Sequence, residues 1–449
     1  MWFEILIKEF FDKLRYSKGS GGVLARGAVG VFIVKSAGGG VLFGLHVMLA
    51  RILGVEQYGI YVYAITWIDI LAIICLLGFQ TSLVRFIAEY NIKQQWALLR
   101  GILRKSNQFV LGFSALVSLV GMVVIRFLNE RMAGESAVTF YLALAVLPVL
   151  TLCHLREACL RALKRVVQSE LLLRVIRPVV MGLIVIGLFL WIGESLNSQY
   201  AMAANLIAIV CVAVVGTILL HILLPEAVGK TKPVLTNKQW LKVSLPLLLV
   251  AGMQIILKRT DIVMIGILLG SGDAGTYSAA SRVSDLVVFA LITTNVILAP
   301  MVSELYHAGQ KEELKKLITL VARVVFVFTL VISLILIIFG KFVLSLFGLA
   351  FIAAYIPLLI LLAGQMVNAF SGPVGLIMSM GGRQNMMGII VSISAATNIL
   401  LNFALIPFWG LTGAAISTAF TMVMWNVAML RYVKKYLGIN STIISKGLQ

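Results

Sequence analysis

The sequence predicts an all-α polytopic membrane protein, with twelve transmembrane helices in two six-helix bundles related by a parallel repeat. Three observations predict it. The 449 residues are 61% hydrophobic and only 12% charged, with a mean hydropathy of +1.03; soluble domains run nearer a quarter charged. Twelve stretches are apolar for about the 20 residues that a helix needs to cross hydrocarbon. Lysine and arginine crowd into alternate connections between those stretches.

The elements follow in order. Residues 1–27 hold no apolar core of signal-peptide type. Phe3, Leu6, Ile7, Phe10, Phe11 and Leu14 recur at helical spacing between Glu4, Lys8, Asp12, Lys13 and Arg15, which predicts an amphipathic helix lying at the membrane surface. Spans are expected at 29–50, 58–80, 106–126, 137–155, 175–192 and 201–223, then at 243–269, 278–301, 318–339, 354–378, 386–406 and 411–430. The expected units are therefore the N-terminal segment 1–27, a first bundle 28–223, a linker 224–242, a second bundle 243–432 and a tail 433–449.

Of the 37 lysines and arginines, 28 lie in the two terminal segments and the connections on their side; Arg51, Arg126, Arg131 and Lys341 alone lie in the opposite connections. The positive-inside rule then places both termini in the cytoplasm. The net charge of +19 thereby serves orientation, which argues against a nucleic-acid partner. Cys75, Cys153, Cys159 and Cys211 sit in or beside apolar runs without metal-ligand spacing, so neither a metal, a cofactor nor a disulfide framework is expected. The four histidines are scattered. The outer connections between these spans are short, too short for the acid-base loops of a membrane polymerase or ligase. No enzyme is expected.

The nine residues Leu53–Tyr61 (LGVEQYGIY) and Leu269–Tyr277 (LGSGDAGTY) share the pattern LGxxxxGxY at an offset of 216 residues. Asp69 matches Asp285 at the same offset. Each copy lies between an odd and an even span. Six spans per half is an even number, so the halves share one topology, and a central cavity can open to either side by rocking.

Charges inside spans are costly, about 2.5–3.5 kcal/mol each at a helix centre. Lys258, Arg259 and Asp261 lie near the centre of the seventh span, Arg282 and Asp285 in the eighth, Lys35 in the first and Asp69 in the second. Lys258 with Asp261, and Arg282 with Asp285, have the i,i+3 spacing of a pair; an Asp261–Arg282 contact between helices is also open. Arg259 has no partner on its own helix, so it takes one from a neighbour or faces the cavity. Asp69, Asp261 and Asp285 are either packing carboxylates or sites of proton or sodium coupling. Arg156, Arg161, Arg174 and Arg177, with Glu157, cluster at the cytoplasmic mouth as topology markers or as an attractor of anionic head groups. The glycines of Ala37–Gly44 and Asn368–Leu376 are expected to pack closely or kink their helices.

At LARILGVEQYGIYVYA, GFQTSLVRFIAEY, LKRTDIVMIGILLGSGDAGTYSAASRVSDL and FALIPFWGLTGAAIST, the chain resembles the polysaccharide transporter branch (Wzx-like oligosaccharide flippases) of the multidrug/oligosaccharidyl-lipid/polysaccharide (MOP) flippase superfamily. Arg259–Asp261 fits that family's R-x-D pattern; Lys258 lies outside it. The resemblance implies a MATE-like fold and an alternating-access flippase. Its implied substrate is a polyprenyl-diphosphate-linked oligosaccharide repeat unit, for O-antigen, capsule or exopolysaccharide. Polymerases of such a pathway are the implied partners. In that reading Arg259, with Arg282, Lys258 and Lys35, holds the diphosphate. A cation-coupled multidrug antiporter shares the fold and is the alternative.

Overall fold

The computed structural model describes residues 20–128, 134–438 and 441–443. The amphipathic helix expected in the N-terminal segment, from Phe3 to Arg15, therefore lies outside the described residues. All regular structure among the described residues is helical. The first half comprises α1 (Ser20–Cys75), α2 (Phe79–Ile92), α3 (Trp96–Leu128), α4 (Gly134–Ala162), α5 (Val166–Leu171), a π turn (Leu172–Ile176), α6 (Arg177–Ile192) and α7 (Ser198–Leu223). A linker with the short α8 (Glu226–Lys230) leads to the second half: α9 (Asn237–Leu268), α10 (Ser271–His307), α11 (Lys311–Ser345), α12 (Tyr355–Ser371), α13 (Val374–Met380) and α14 (Gln384–Tyr432).

Two of these helices each hold two spans. In α1 the chain leaves helical geometry at Gly54, with φ 72° and ψ 176°. The Tyr58 hydroxyl lies 3.2 Å from His46 Nδ1, twelve residues away; a straight helix would separate them by roughly 18 Å. The chain therefore reverses at Gly54. In α14 the break is at Gly410, φ 53°, and Asn398 reaches Thr418 and Thr421 across it. A positive φ of this kind favours glycine, which has no Cβ to clash. Nine described helices are long and apolar enough to cross a membrane. The two reversals raise that to eleven spans, and α10 is the twelfth. The chain is a multi-pass membrane protein.

Helix ends differ from the expected spans where amphipathic turns extend beyond hydrocarbon. Residues 81–106, expected as a connection, hold most of α2 and the start of α3. The tenth span is cut at Gly372, φ 69°, so α13 is a separate piece; this is one of the expected kink glycines.

One buried cluster joins both halves: Leu45, Leu49 and Tyr58 of α1 pack with Ile262, Ala274, Tyr277, Phe347 and Phe351. It lies toward the Gly54 and Gly270 reversals, here termed the turn face. Toward the opposite, basic face the core divides. One cluster holds Phe79, Phe86, Leu155 and Trp240; another holds Leu298, Ile318, Ile377 and Met429. The halves are thus fused at one face and packed separately at the other, except where the first turns of α9 join the first half.

Candidate functional site

The glycines of the repeat build the closed turn face. Gly54 and Gly270, both at positive φ, make the reversals. Gly59 and Gly275 pack against each other: a Cβ on Gly275 would lie 2.7 Å from the Gly59 Cα, and one on Gly59 would lie 2.1 Å from the Ser271 carbonyl. Arg51 spans the same seam, donating from Nε to the Leu346 carbonyl at 2.6 Å and from a terminal nitrogen to the Ser345 carbonyl at 3.3 Å. Ser345 ends α11 and Leu346 is its C-cap residue, so both carbonyls lie at the negative end of the helix dipole; that of Ser345 also accepts from the Gly348 N–H at 3.1 Å. Phe43–Phe347 and Tyr58–Phe351 edge contacts at 5.5 and 5.7 Å fill the space beneath.

Helix α9 crosses the seam. Near the basic face it belongs to the first half, where Ser244 bonds Ser82 at 2.6 Å. A Cβ on Gly78, which sits at φ +77°, would lie 2.0 Å from the Ser244 carbonyl. Near the turn face it belongs to the second half through Asp261. Arg259 lies between these attachments and reaches back to the first half: its guanidinium donates to Asp69 Oδ2 at 2.8 Å. Both side chains stay partly exposed, at 31% and 26%, so the pair lines the cleft between the halves. Of the two expected alternatives, a partner on a neighbouring helix or a free cation in the cavity, the structure shows the first: the partner is Asp69.

The expected Lys258–Asp261 pair does not form. Asp261 is buried and accepts from three neutral donors: Tyr277 at 2.9 Å, Asn402 at 2.8 Å and the Thr418 hydroxyl. Asn402 also donates to Asn398 at 3.0 Å, and its own carbonyl oxygen is buried without a partner. The physical reason is rotation: Asp261 turns into the α9–α10–α14 interior, while Lys258, one turn back, points out into the cleft and is exposed. No described cation lies within ion-pair distance of Asp261, so neither does the open Asp261–Arg282 contact form. By the 216-residue offset, Leu45 and Tyr61 stand where the second half has Asp261 and Tyr277; Tyr61 meets Met181 Sδ at 3.6 Å. The polar cage exists in one half only.

The expected Arg282–Asp285 pair is also absent among the described ion pairs. Arg282 instead sits beside the buried Tyr58, and its Nε is buried without a partner. Asp285 is exposed to the cleft, where Lys258, Arg282 and Arg259 are its charged neighbours. Lys35 does not join this group. It lies 3.7 Å from Glu170, which also binds Arg174. Glu170 escaped the sequence reading because the short α5 carries no repeat or motif signal. The remaining arginines of the basic face are tied down. Arg156 bonds Thr217 and Asn107, Arg161 lies 3.6 Å from Glu157, and Arg177 bonds Asn205. The described residues hold no cluster of metal-ligating side chains, and the four cysteines are unpaired.

Residues 24–306 match the family described as polysaccharide biosynthesis protein. The chain belongs to that family. Its similarity extends beyond the matched segment. The chain is 24% identical over 428 residues to a probable low-salt glycan biosynthesis flippase, Agl15, of Haloferax volcanii, covering 93% of this chain and 84% of that one. Among solved structures, an inward-facing multidrug resistance MATE transporter of the MOP superfamily superposes with a TM-score of 0.70 at 14% identity, over 91% of this chain and 98% of that one. The lipid II flippase MurJ in an inward closed conformation gives 0.71 at 14% identity, over 91% and 87%. The fold of this chain is therefore that of the MOP superfamily, as the sequence resemblance implied.

Proposed function

We propose that this chain is an alternating-access flippase. It moves a polyprenyl-diphosphate-linked oligosaccharide across the cytoplasmic membrane for surface polysaccharide assembly, and it performs no covalent chemistry. The observation that carries the reading is the Arg259–Asp69 pair, a partly exposed ion pair that ties the two halves across a cleft also lined by Lys258, Arg282 and Asp285. Three cations face two carboxylates there, leaving one positive charge surplus. A diphosphate suits that surplus, since arginine binds phosphate oxygens through paired N–H donors. A cationic drug does not, which disfavours the antiporter reading.

With both termini cytoplasmic by the positive-inside rule, the divided basic face opens inward and the fused turn face closes the outside. The diphosphate head enters the cleft while the polyprenyl tail stays in lipid. Competition of phosphate for Arg259 weakens its hold on Asp69 and frees the halves to rock. The Asp261 cage supplies the coupling site. A buried carboxylate without a cationic partner is costly, so a proton or a sodium ion neutralises it; the carboxylate, amide and hydroxyl oxygens of Asp261, Asn398, Asn402 and Thr418 are hard ligands suited to either.

The test is Arg259→Ala in a strain whose surface polymer depends on this gene. We expect polymer to vanish while the amount of membrane-inserted protein is unchanged. Wild-type polymer levels in that variant overturn the assignment.

A further inference from the structure

The cleft charges do not form one continuous site. Lys35 precedes the Gly54 reversal by nineteen residues and so lies about 28 Å down α1 from the turn face, whereas Arg259, eleven residues before Gly270, lies about 16 Å down α9. A second group of charges therefore sits roughly 12 Å nearer the open, basic face. Lys35 shares a helix face with the exposed Leu42, seven residues on and about 20° round. Leu42 is the repeat counterpart of Lys258, which points into the cleft.

Glu170 organises this second group. It is 7% exposed and divides its two oxygens: Oε1 faces Lys35 Nζ at 3.7 Å, and Oε2 accepts from Arg174 Nε. Arg174 lies within the π turn, a local widening that recurs at functional sites. Gly38 lets α1 approach that turn, since a Cβ there would lie 2.8 Å from Arg174 Cβ and 2.9 Å from its carbonyl. Glu170 is the buried member, while Arg174 remains 53% and Lys35 21% exposed. Two accessible cations are thus held over one buried carboxylate, with one positive charge in excess.

We propose that Lys35 and Arg174 form a separate diphosphate-binding station at the mouth of the cleft, and that Glu170 is its positioning residue. This rests on the flippase reading and adds a step to it: the head group is captured at the mouth and then passed inward to Arg259. The role of Glu170 follows from its two oxygens. A glutamine has one acceptor and turns an NH2 toward the other cation, so Lys35 and Arg174 splay apart even though the net charge of the station rises by one.

The experiment measures binding of inorganic pyrophosphate and of farnesyl diphosphate to the full-length protein in phosphatidylcholine nanodiscs. The variants are Glu170→Gln, Glu170→Asp, Arg174→Ala and Arg259→Ala, each checked for an unchanged melting temperature. For Glu170→Gln and Arg174→Ala we expect about tenfold weaker binding of both probes, the loss of one charge-assisted contact, and partial recovery in Glu170→Asp. Unchanged or tighter binding in Glu170→Gln overturns the positioning role, because added charge alone would strengthen an anion site. A loss confined to farnesyl diphosphate also overturns it, since the station then reads the tail. If the wild type binds neither probe, the flippase reading fails as well; if Arg259→Ala weakens binding and Glu170→Gln does not, only the station fails. Should a variant unfold, pyrophosphate protection of Arg174 in the wild-type protein from modification by phenylglyoxal, read by peptide mass mapping, decides the same question: protection supports the station, and its absence at saturating pyrophosphate overturns it.

Discussion

At the residue scale, the buried carboxylate of Asp261 separates two kinds of charge. Arg259 and Asp69 are partly exposed and oppositely charged, so water and a partner share the cost of placing them in the membrane. Asp261 has only neutral donors, and in the proposed mechanism a bound proton or sodium ion neutralises it. Asp261→Asn keeps an acceptor for Tyr277 and Thr418 but removes the need for a cation. We expect the variant to insert and fold, and its transport in vesicles to lose dependence on an imposed proton or sodium gradient. Gradient-dependent transport by that variant would show that coupling resides elsewhere. The sequence made the charges legible as a set, because each is an outlier in apolar context. It did not disclose which charge meets which. Spacing of i,i+3 permits Lys258–Asp261 but does not compel it, and Asn402 and Thr418, which displaced Lys258, lie 141 and 157 residues away.

At the element scale, helix ends perform the switching in the proposed mechanism. The C-terminus of α11 is capped from the other half by Arg51, an interaction between a cation and helix-terminal carbonyls worth about 1 kcal/mol at an exposed helix end. It exists only while the turn face is closed. Arg51→Ala should therefore shift the balance toward an open turn face by about fivefold, the factor that about 1 kcal/mol carries. Spin labels at Glu56 and Leu349, in a background without the native cysteines, should report a larger population of long distances. An unchanged distribution would mean that the apolar contacts of Phe347 and Phe351 alone hold the seam. Helix α9 acts in another way. It is anchored to the first half at Ser244 and to the second at Asp261, so any rocking of the halves bends or rotates it near Arg259. Its hydropathy marked it as a span; only its contacts show that it belongs to both halves.

At the scale of the whole molecule, two similar bundles meet through repeated glycines. Gly59 and Gly275 admit backbone against backbone, and neither position has room for a Cβ while the halves are closed. Gly275→Ala should prevent full closure of the turn face and lower transport at least tenfold, without loss of inserted protein; the Glu56–Leu349 label distance checks it directly. Retained closure and transport in that variant would show that the seam yields more easily than the 2.7 Å approach implies. The symmetry is broken where the chemistry lies. The second half holds the Asp261 cage and Arg282, while the first has Leu45, Tyr61 and Met181 in the cage's place and carries the Lys35–Glu170–Arg174 group nearer the basic face.

The sequence by itself determined the membrane fold, the twelve spans, their alternation, the repeat and the family. These follow from quantities that add along a chain: the transfer cost of each side chain and the side on which each cation is retained. The tertiary structure alone decided the pairing of Arg259 with Asp69, the neutral cage around Asp261, the union of Lys35 with Glu170, and which face is closed. Such contacts depend on helix rotation and on side chains that reach across the bundle, and a one-dimensional pattern fixes neither.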